Sequence, residues 1–316
     1  MNPNISVIIL NWNGKEYIED CLRSVLSQAY DNFNVILVDN NSTDGSVEFI
    51  RKNFSNTKII ALDQNYGFAK GNNIGIKYAL EKYNPEYILL LNNDTKIVRE
   101  DTLTNLTKAA ESDCKIGILG CKLISSDGKT EFPGTNVRPL SIEDSSGLLD
   151  NDFAIAAAFL IKKSVINTIG LFDEGYSPFL IEDVDYCIRA KKAGYLIKVF
   201  PSIEVIHNKH SSLQKQPLKY VDFVEKKNII RFCLLNLPFP MNIFRIFYEG
   251  GLVFKYLPYN TVERKNKRFG IAFWNLRIRR NRINRLANFF RACFANLINL
   301  KEILYRRTHR TEKLWF

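Results

Sequence analysis

Short, β-branched-rich apolar runs alternate with longer stretches of helical periodicity over the first hundred residues. Ile5–Leu10, Val35–Val38, Lys58–Leu62 and Tyr87–Leu91 are continuous apolar runs, the pattern of strands covered on both faces. Between them, Glu16–Gln28, Gly45–Asn53 and Ala69–Tyr83 carry the 3.6-residue period, with Ser42 and Asp44 placed to cap the second helix. This alternation predicts a parallel sheet, which takes its ligands beyond the carboxyl ends of its strands. Asp127–Asp152 reads as a loop rich in Gly, Pro, Ser and Asp. After it come a strand at Ala154–Ile161, a short helix, a loop over Gly170–Pro178 and a helix from Asp183 to Ala193. Tyr195–Phe200 and Ile203–His207 read as two further strands. Beyond Gln216 the pattern turns helical and aromatic, dividing the chain into an α/β domain over 1–215 and a helical, basic, amphipathic region over 216–316.

The chain's 316 residues, 46% apolar and 24% charged, fit a folded two-unit protein and exclude a disordered or fibrous one. The net charge of +11 is unevenly placed. Residues 241–316 hold 17 Lys and Arg against 4 Glu, a net +13, whereas residues 1–240 hold 27 against 29, a net −2. Cations interleaved with Phe, Leu and Ile suit an anionic surface. The six cysteines have no zinc-ligand spacing and read as buried reduced thiols. No signal-peptide pattern precedes the first strand, and no apolar run reaches the 18 or so residues of a membrane span. The expected location is therefore cytoplasmic.

Candidate chemistry gathers where strands end. Asn11-Trp12-Asn13-Gly14, Asp39–Gly45 and Asn92-Asn93-Asp94 follow the first, second and fourth strands, so three polar clusters converge on one sheet edge. Taken singly, each is ordinary turn chemistry. There is no GxxxxGK[ST] loop, and Gly67, Gly71 and Gly75 do not make GxGxxG. The Asn92–Asp94 carboxylate and amides suit instead a hard divalent cation bridging a diphosphate. Further on, Glu182, Asp183 and Asp185 put three carboxylates in four residues at a helix start. The helix dipole accounts for Asp185. Mutual repulsion raises the pKa of one of the others and makes it a better general base, and Asp183 is the candidate.

Together these motifs resemble family-2 inverting glycosyltransferases of the GT-A fold: ISVIILNWN (Ile5–Asn13), VDNNSTDGS (Val38–Ser46), NYGFAKGNNIG (Asn65–Gly75), LNNDT (Leu91–Thr95), GLFD (Gly170–Asp173) and EDVDYCIRAKKAGY (Glu182–Tyr195). They span about residues 4–210 and are most similar to the rhamnosyltransferase-like subgroup that builds cell-surface polysaccharides. The resemblance implies a Rossmann-like, mostly parallel sheet flanked by helices. It implies a nucleoside-diphosphate sugar donor, such as dTDP-rhamnose or a UDP-hexose, and a lipid-linked saccharide or polysaccharide acceptor. Asp39 would meet the nucleotide base with Asn11 beside it, Lys70 and Asn72 would lie near ribose and diphosphate, and Asn93 would complete the donor site. Asp94, Asn92 and His207 would hold Mg²⁺ or Mn²⁺, although Asn92 replaces the first acidic residue of the family's DxD motif. Asp183 would be the base, with Glu182 beside it. Trp12 and Phe68 are expected to pack in the core, with the lining of the nucleotide pocket as their alternative role, and Arg189 either orients Asp183 or forms a surface pair. His210 is a weaker ligand candidate than His207.

In Asn281–Arg307 the residues Ile283, Leu286, Phe290, Cys293, Phe294, Leu297, Leu300 and Leu304 recur at helical spacing beside Arg282, Arg285, Arg291, Arg306 and Arg307. This basic amphipathic helix either packs on the catalytic domain with a solvated basic face or docks on an anionic membrane. Docking would make the enzyme peripheral at the inner face of the cell membrane. Nucleic acid is the rival partner for the same charge, but an apolar face has no role in a phosphate contact, so no nucleic acid is expected. Two alternative functions remain: a sugar-1-phosphate nucleotidylyltransferase, whose loop after the first strand should not read Asn-Trp-Asn-Gly, and a non-catalytic nucleotide-sugar-binding module, which Asn92 alone favours.

Overall fold

The apolar runs pair into one sheet, and the helices bury its two faces. The computed structural model describes residues 2–125, 128, 130–131, 148–208, 216–252 and 282–309. Its strands are β1 (Ile5–Asn11), β2 (Phe33–Asp39), β3 (Lys58–Ala61), β4 (Tyr87–Asn92), β5 (Thr95–Ile97), β6 (Ile116–Ile124), β7 (Thr130–Glu131), β8 (Leu149–Asp150), β9 (Ala158–Lys162) and β10 (Leu196–His207). The helices are α1 (Lys15–Leu26), α2 (Ser46–Asn53), α3 (Gly67–Lys82), α4 (Thr102–Glu111), α5 (Lys163–Ile169), α6 (Glu182–Lys192), α7 (Leu218–Asn236), α8 (Met241–Leu252), α9 (Arg282–Ile298) and α10 (Leu300–Thr308).

The strand order is β3-β2-β1-β4-β9-β6-β10-β5, with β7 beside β6 and β8 beside β10. The four strands at one end are parallel, as the βαβ alternation requires, while β9 runs against both β4 and β6. β9 starts at Ala158 rather than Ala154, because a turn closed by the Ala158 N–H on Ile155 O precedes it. The two strands expected at 195–207 are a single one, β10, which shifts register against β6 between Phe200 and Glu204. Extended backbone survives a Pro there because the shift frees that position from the ladder. Most of the expected loop 127–152 lies outside the described residues, as does His210.

Strand alternation sorts the core. Val7, Ile9, Val35 and Leu37 face α1 and α4, meeting Ile18, Leu22, Leu103 and Leu106. Ile8, Ile36 and Val38 face the other way, onto Ile76 and Ala79 of α3. Each such fully buried side chain contributes about 1.5–3 kcal/mol of transfer energy. The second cluster also takes in Phe232 and Leu235 of α7 and Ile303 of α10, so the helical region shares a core with the α/β body. α9 and α10 both pack on α7. They replace the single helix expected over 281–307, with a break at Asn299. Cys21, Cys121, Cys187 and Cys233 are buried free thiols, whereas Cys114 is exposed and Cys293 half-buried, contrary to expectation.

Candidate active site

Register places the polar clusters side by side. Asn11 pairs with Asp39 across β1 and β2, and Leu10 pairs with Asn92 across β1 and β4, so the three strands end at one level. Asn11, fully buried, is the hub of that edge. Its amide donates to Asp39 Oδ1 at 2.8 Å, Ser46 Oγ at 3.0 Å and Ser42 Oγ at 3.2 Å, and its oxygen accepts from Asn93 Nδ2 at 2.7 Å. Asp39 also accepts from the Ser42 hydroxyl at 2.6 Å and the Ser42 N–H at 2.8 Å. Such a network in a low-dielectric site fixes its members in one geometry. Gly14 completes it: any Cβ there would overlap the Asn93 amide and Asn11 Oδ1. Asp44 accepts from Ser46 N at 3.0 Å and from Lys15 N at 2.8 Å, tying the starts of α1 and α2 together, while Ser42 serves Asp39 rather than the cap.

At the end of β4, Asp94 is brought to His207 of β10 by the antiparallel pairing of Thr95 with His207. His207 Nε2 lies 3.5 Å from Asp94 Oδ1, both side chains are buried, and the Asn208 N–H donates to Asp94 O at 2.9 Å. Cys21 and Thr95 bond to the carbonyl of Asn92. A carboxylate and an imidazole converging in a buried pocket beside Asn92 fit a divalent cation chemically. Among the described residues no group of three His, Cys, Asp or Glu side chains encloses such an ion. A cation there would therefore need Asn92, water or the ligand's own oxygens to complete its shell.

Lys70 and Asn72 lie on the first turns of α3. The Lys70 ammonium sits 3.8 Å over the Tyr66 ring, and Asn72 is buried and donates back to Phe68 O at 3.0 Å within its own helix. The neighbouring amides do the long-range work that the sequence alone does not reveal. Asn40 donates to Gly67 O at 3.1 Å, and Asn73 donates to Phe172 O and Glu174 Oε1 while accepting from Phe172 N, all at 3.0 Å. Phe68 packs edge-on against Phe172, which agrees with the core role expected of it.

Glu182 and Asp183 open α6. Glu182 is buried, and among the described residues its Oε2 has no hydrogen-bond partner. Asp183 is half-buried, accepting from Val184 N at 2.8 Å and Ala156 N at 3.3 Å. Ala157 O in turn accepts from Asn92 N at 3.1 Å, so the 156–157 backbone spans from the β4 end to Asp183. Burial holds both carboxyls above their ordinary range, and for Glu182 the Asp183 charge adds to it. Burial, more than the repulsion expected, is the cause. Asp185 and Arg189 behave differently from the sequence reading. They form a buried ion pair at 3.1 Å, and Arg189 donates to Ile169 O and Leu171 O, both at 2.7 Å. Asp185 also accepts from Tyr176 Oη at 2.9 Å and Asn236 Nδ2 at 2.8 Å, so it is a structural buried anion rather than a dipole partner, and Arg189 orients Asp185, not Asp183.

The approach to Asp183 is held from α7. Leu180 and Ile181 both have φ of 77°, a left-handed conformation that costs a branched residue about 1–2 kcal/mol. Asn228, fully buried, donates to Tyr176 O, Phe179 O and Leu180 O at 2.6, 2.8 and 2.9 Å, and Lys227 donates to Ser177 O at 2.5 Å. Burial and then Arg231 pull the Lys227 ammonium down to about 8, against the attraction of Glu182. Arg231 bonds Asp173 at 3.0 Å and Glu302 of α10 at 2.9 Å. On its other side the loop meets α3: Phe68 N donates to Pro178 O at 2.8 Å, and Gly67, at φ +80°, leaves no room for a Cβ beside Pro178. One short loop thus touches both the α3 turn and the α6 carboxylates.

The profile described as Glycosyl transferase family 2 matches residues 6–170. A low-salt glycan biosynthesis hexosyltransferase, Agl10 of Haloferax volcanii, is 26% identical over 260 residues, covering 78% of this chain and 80% of the relative. The dTDP-rhamnosyl transferase RfbF of Shigella flexneri is 25% identical over 213 residues, covering 66% and 70%. Among solved structures, the mannosyltransferase PcManGT of Pyrobaculum calidifontis, in complex with GDP-Man and Mn²⁺, superposes with a TM-score of 0.55 at 14% identity, over 94% of this chain and 76% of that one.

Proposed function

We propose that this chain, which belongs to glycosyl transferase family 2, moves a sugar with inversion from a nucleoside-diphosphate sugar, of the dTDP-rhamnose or UDP-hexose kind, to a lipid-linked saccharide or polysaccharide acceptor in cell-surface glycan synthesis. The observation that carries this reading is the Asn11–Asp39–Asn93 network at three strand ends, joined through the 156–157 backbone to Asp183.

In this account Asp39, fixed by Asn11 and Ser42, is aimed at the nucleotide base. Asn93 holds the β4 end in register with it. Lys70, at the opening of α3, places positive charge near the diphosphate, with Asn72 beside it. The acceptor hydroxyl oxygen attacks the anomeric carbon from the face opposite the diphosphate. As that C–O bond forms, the bond from the anomeric carbon to the diphosphate oxygen breaks, and the hydroxyl proton passes to the Asp183 carboxylate. The electron pair leaves with the nucleoside diphosphate. Glu182, the buried carboxyl next to the base at the start of α6, is the second acidic group of the site. Asp94, His207 and Asn92 are the residues that would hold Mg²⁺ or Mn²⁺, and a cation there would supply positive charge to stabilise the leaving diphosphate. The acceptor's lipid places the reaction at a cytoplasmic membrane surface, to which the +13 C-terminal region is drawn.

The test is thermal stabilisation of the full chain by a panel of nucleoside-diphosphate sugars, with Mn²⁺ and with chelator. One donor is expected to raise the unfolding midpoint, since ligand that binds only the folded state stabilises it. Loss of the shift on chelation supports the Asp94–His207 site. A panel in which no nucleotide sugar shifts the midpoint contradicts the reading.

A further inference from the structure

Two of the C-terminal helices, α8 and α9, reverse the usual amphipathic arrangement. α9 packs on α7 through Asn288, Ala292 and Asn296, one residue per turn, all buried. The Asn288 amide donates to Lys219 O at 2.9 Å and Asp222 Oδ2 at 2.7 Å, and the Asn296 amide to Lys227 O at 2.9 Å. The opposite side is apolar: Phe290, Phe294, Leu297 and Ile298 are 62–67% exposed. On α8 the same inversion recurs, with Asn242 buried while Phe244 and Phe247 are exposed. A helix that turns its amides inward and its phenylalanines outward gains nothing from water on that face.

Charge decides what covers it. α9 carries Arg282, Arg285 and Arg291 and no acidic residue, Arg291 is exposed next to Phe290 with its guanidinium 4.9 Å over the Phe223 ring of α7, Lys301 at the start of α10 is an exposed cation, and the whole of 241–316 is +13. Apolar side chains bordered by cations fit the headgroup boundary of an anionic bilayer, which offers hydrocarbon and negative charge together. No helix among the described residues is long and apolar enough to cross a membrane.

We propose that α9 docks on an anionic lipid surface through its Phe290–Phe294–Leu297 stripe, as a preformed arm that stays bonded to α7 by Asn288 and Asn296. This inference rests on the reading of a membrane-borne acceptor and specifies how the enzyme meets that membrane. It differs from an amphipathic tail that swings free. Because α7 also holds the 176–180 loop through Asn228, α9 and the loop leading to Asp183 are both bonded to one helix.

The test is sedimentation of the full chain with phosphatidylglycerol-containing vesicles and with phosphatidylcholine vesicles. The wild type is expected to sediment with the former, and the triple variant Phe290→Ser, Phe294→Ser, Leu297→Ser to lose binding by about tenfold or more with an unchanged unfolding midpoint. Read as the difference from the wild type, which has Trp12, Trp274 and Trp315 of its own, the added tryptophan of Phe294→Trp is expected to shift its emission to the blue and be quenched by brominated lipid. Amide exchange across α9 should slow on vesicles, whereas faster exchange would overturn the preformed arm. Equal sedimentation of the triple variant and wild type overturns the stripe. A vesicle-indifferent dimer that the triple variant dissolves assigns the face to a second copy. A difference emission from position 294 that is already blue without lipid assigns the face to another segment of the chain. None of these readouts involves donor or transfer, so failure of the transferase reading is seen separately, in the nucleotide-sugar panel.

Discussion

At the scale of single residues, the proposed site separates groups that hold from the group assigned to react. Asn11 and Asn93 are buried and bonded to one another, so they shape the edge, while half-buried Asp183 is the group to which the proposed reaction assigns the acceptor proton. Gly14→Ala puts a methyl where the Asn93 amide sits and is expected to cost about 1–3 kcal/mol of stability, measured by denaturant unfolding. Glu182 supplies a pH prediction. Its carboxyl is raised in the folded state by burial and by Asp183, so its contribution to stability is fully present below the ordinary carboxylate range. That contribution is lost as pH rises through the raised value. Glu182→Gln, which stays neutral, should unfold at a higher temperature than wild type at neutral and alkaline pH and at the same temperature in acid. Turnover should climb with pH on a limb displaced upward from the usual carboxylate range, since Asp183, raised likewise, must lose its proton to act.

At the scale of elements, the residues that end strands were readable and those that reach across the chain were not. Asn11, Asp39 and Asn92–Asp94 follow apolar runs immediately, so strand periodicity alone brings them to one edge, and register confirms their level. Asn73, Asn40 and Asn228 carry no local signal. Asn73 finds Phe172, 99 residues away, and Asn228 finds a loop some 50 residues earlier, so only the packing of α3 and α7 makes them partners. The Asp185–Arg189 pair has helical spacing, but its burial depends on Tyr176 and Asn236. Asn228→Ala removes a donor shared by three carbonyls and leaves buried acceptors unpaired, at about 1–3 kcal/mol. It should also release the left-handed Leu180–Ile181 step, lowering kcat with the donor-induced thermal shift intact. Asn228→Gln, with the same amide on a longer arm, should recover part of the turnover.

At the scale of the molecule, the helical region is continuous with the catalytic body. The division expected after residue 215 follows the change in sequence pattern, yet Phe232, Leu235 and Ile303 lie in the core under α3 and α6, and Arg231 links Asp173 to Glu302. A chain ending at residue 215 should therefore lack a cooperative unfolding transition by circular dichroism, whereas the intact chain shows one. The tail's periodicity was legible, but not which face it would turn inward. Buried asparagines on α9 reverse that choice, their amides donating to the Lys219 and Lys227 carbonyls and the Asp222 carboxylate of α7. The central claim is that the Asp183 carboxylate takes the acceptor proton at a preassembled nucleotide-sugar site. The direct measurement compares wild type with Asp183→Asn in donor-induced thermal stabilisation and in sugar transfer to acceptor. The account predicts an unchanged stabilisation and a turnover lowered by about 10²–10⁴-fold; near-normal transfer by Asp183→Asn would contradict it.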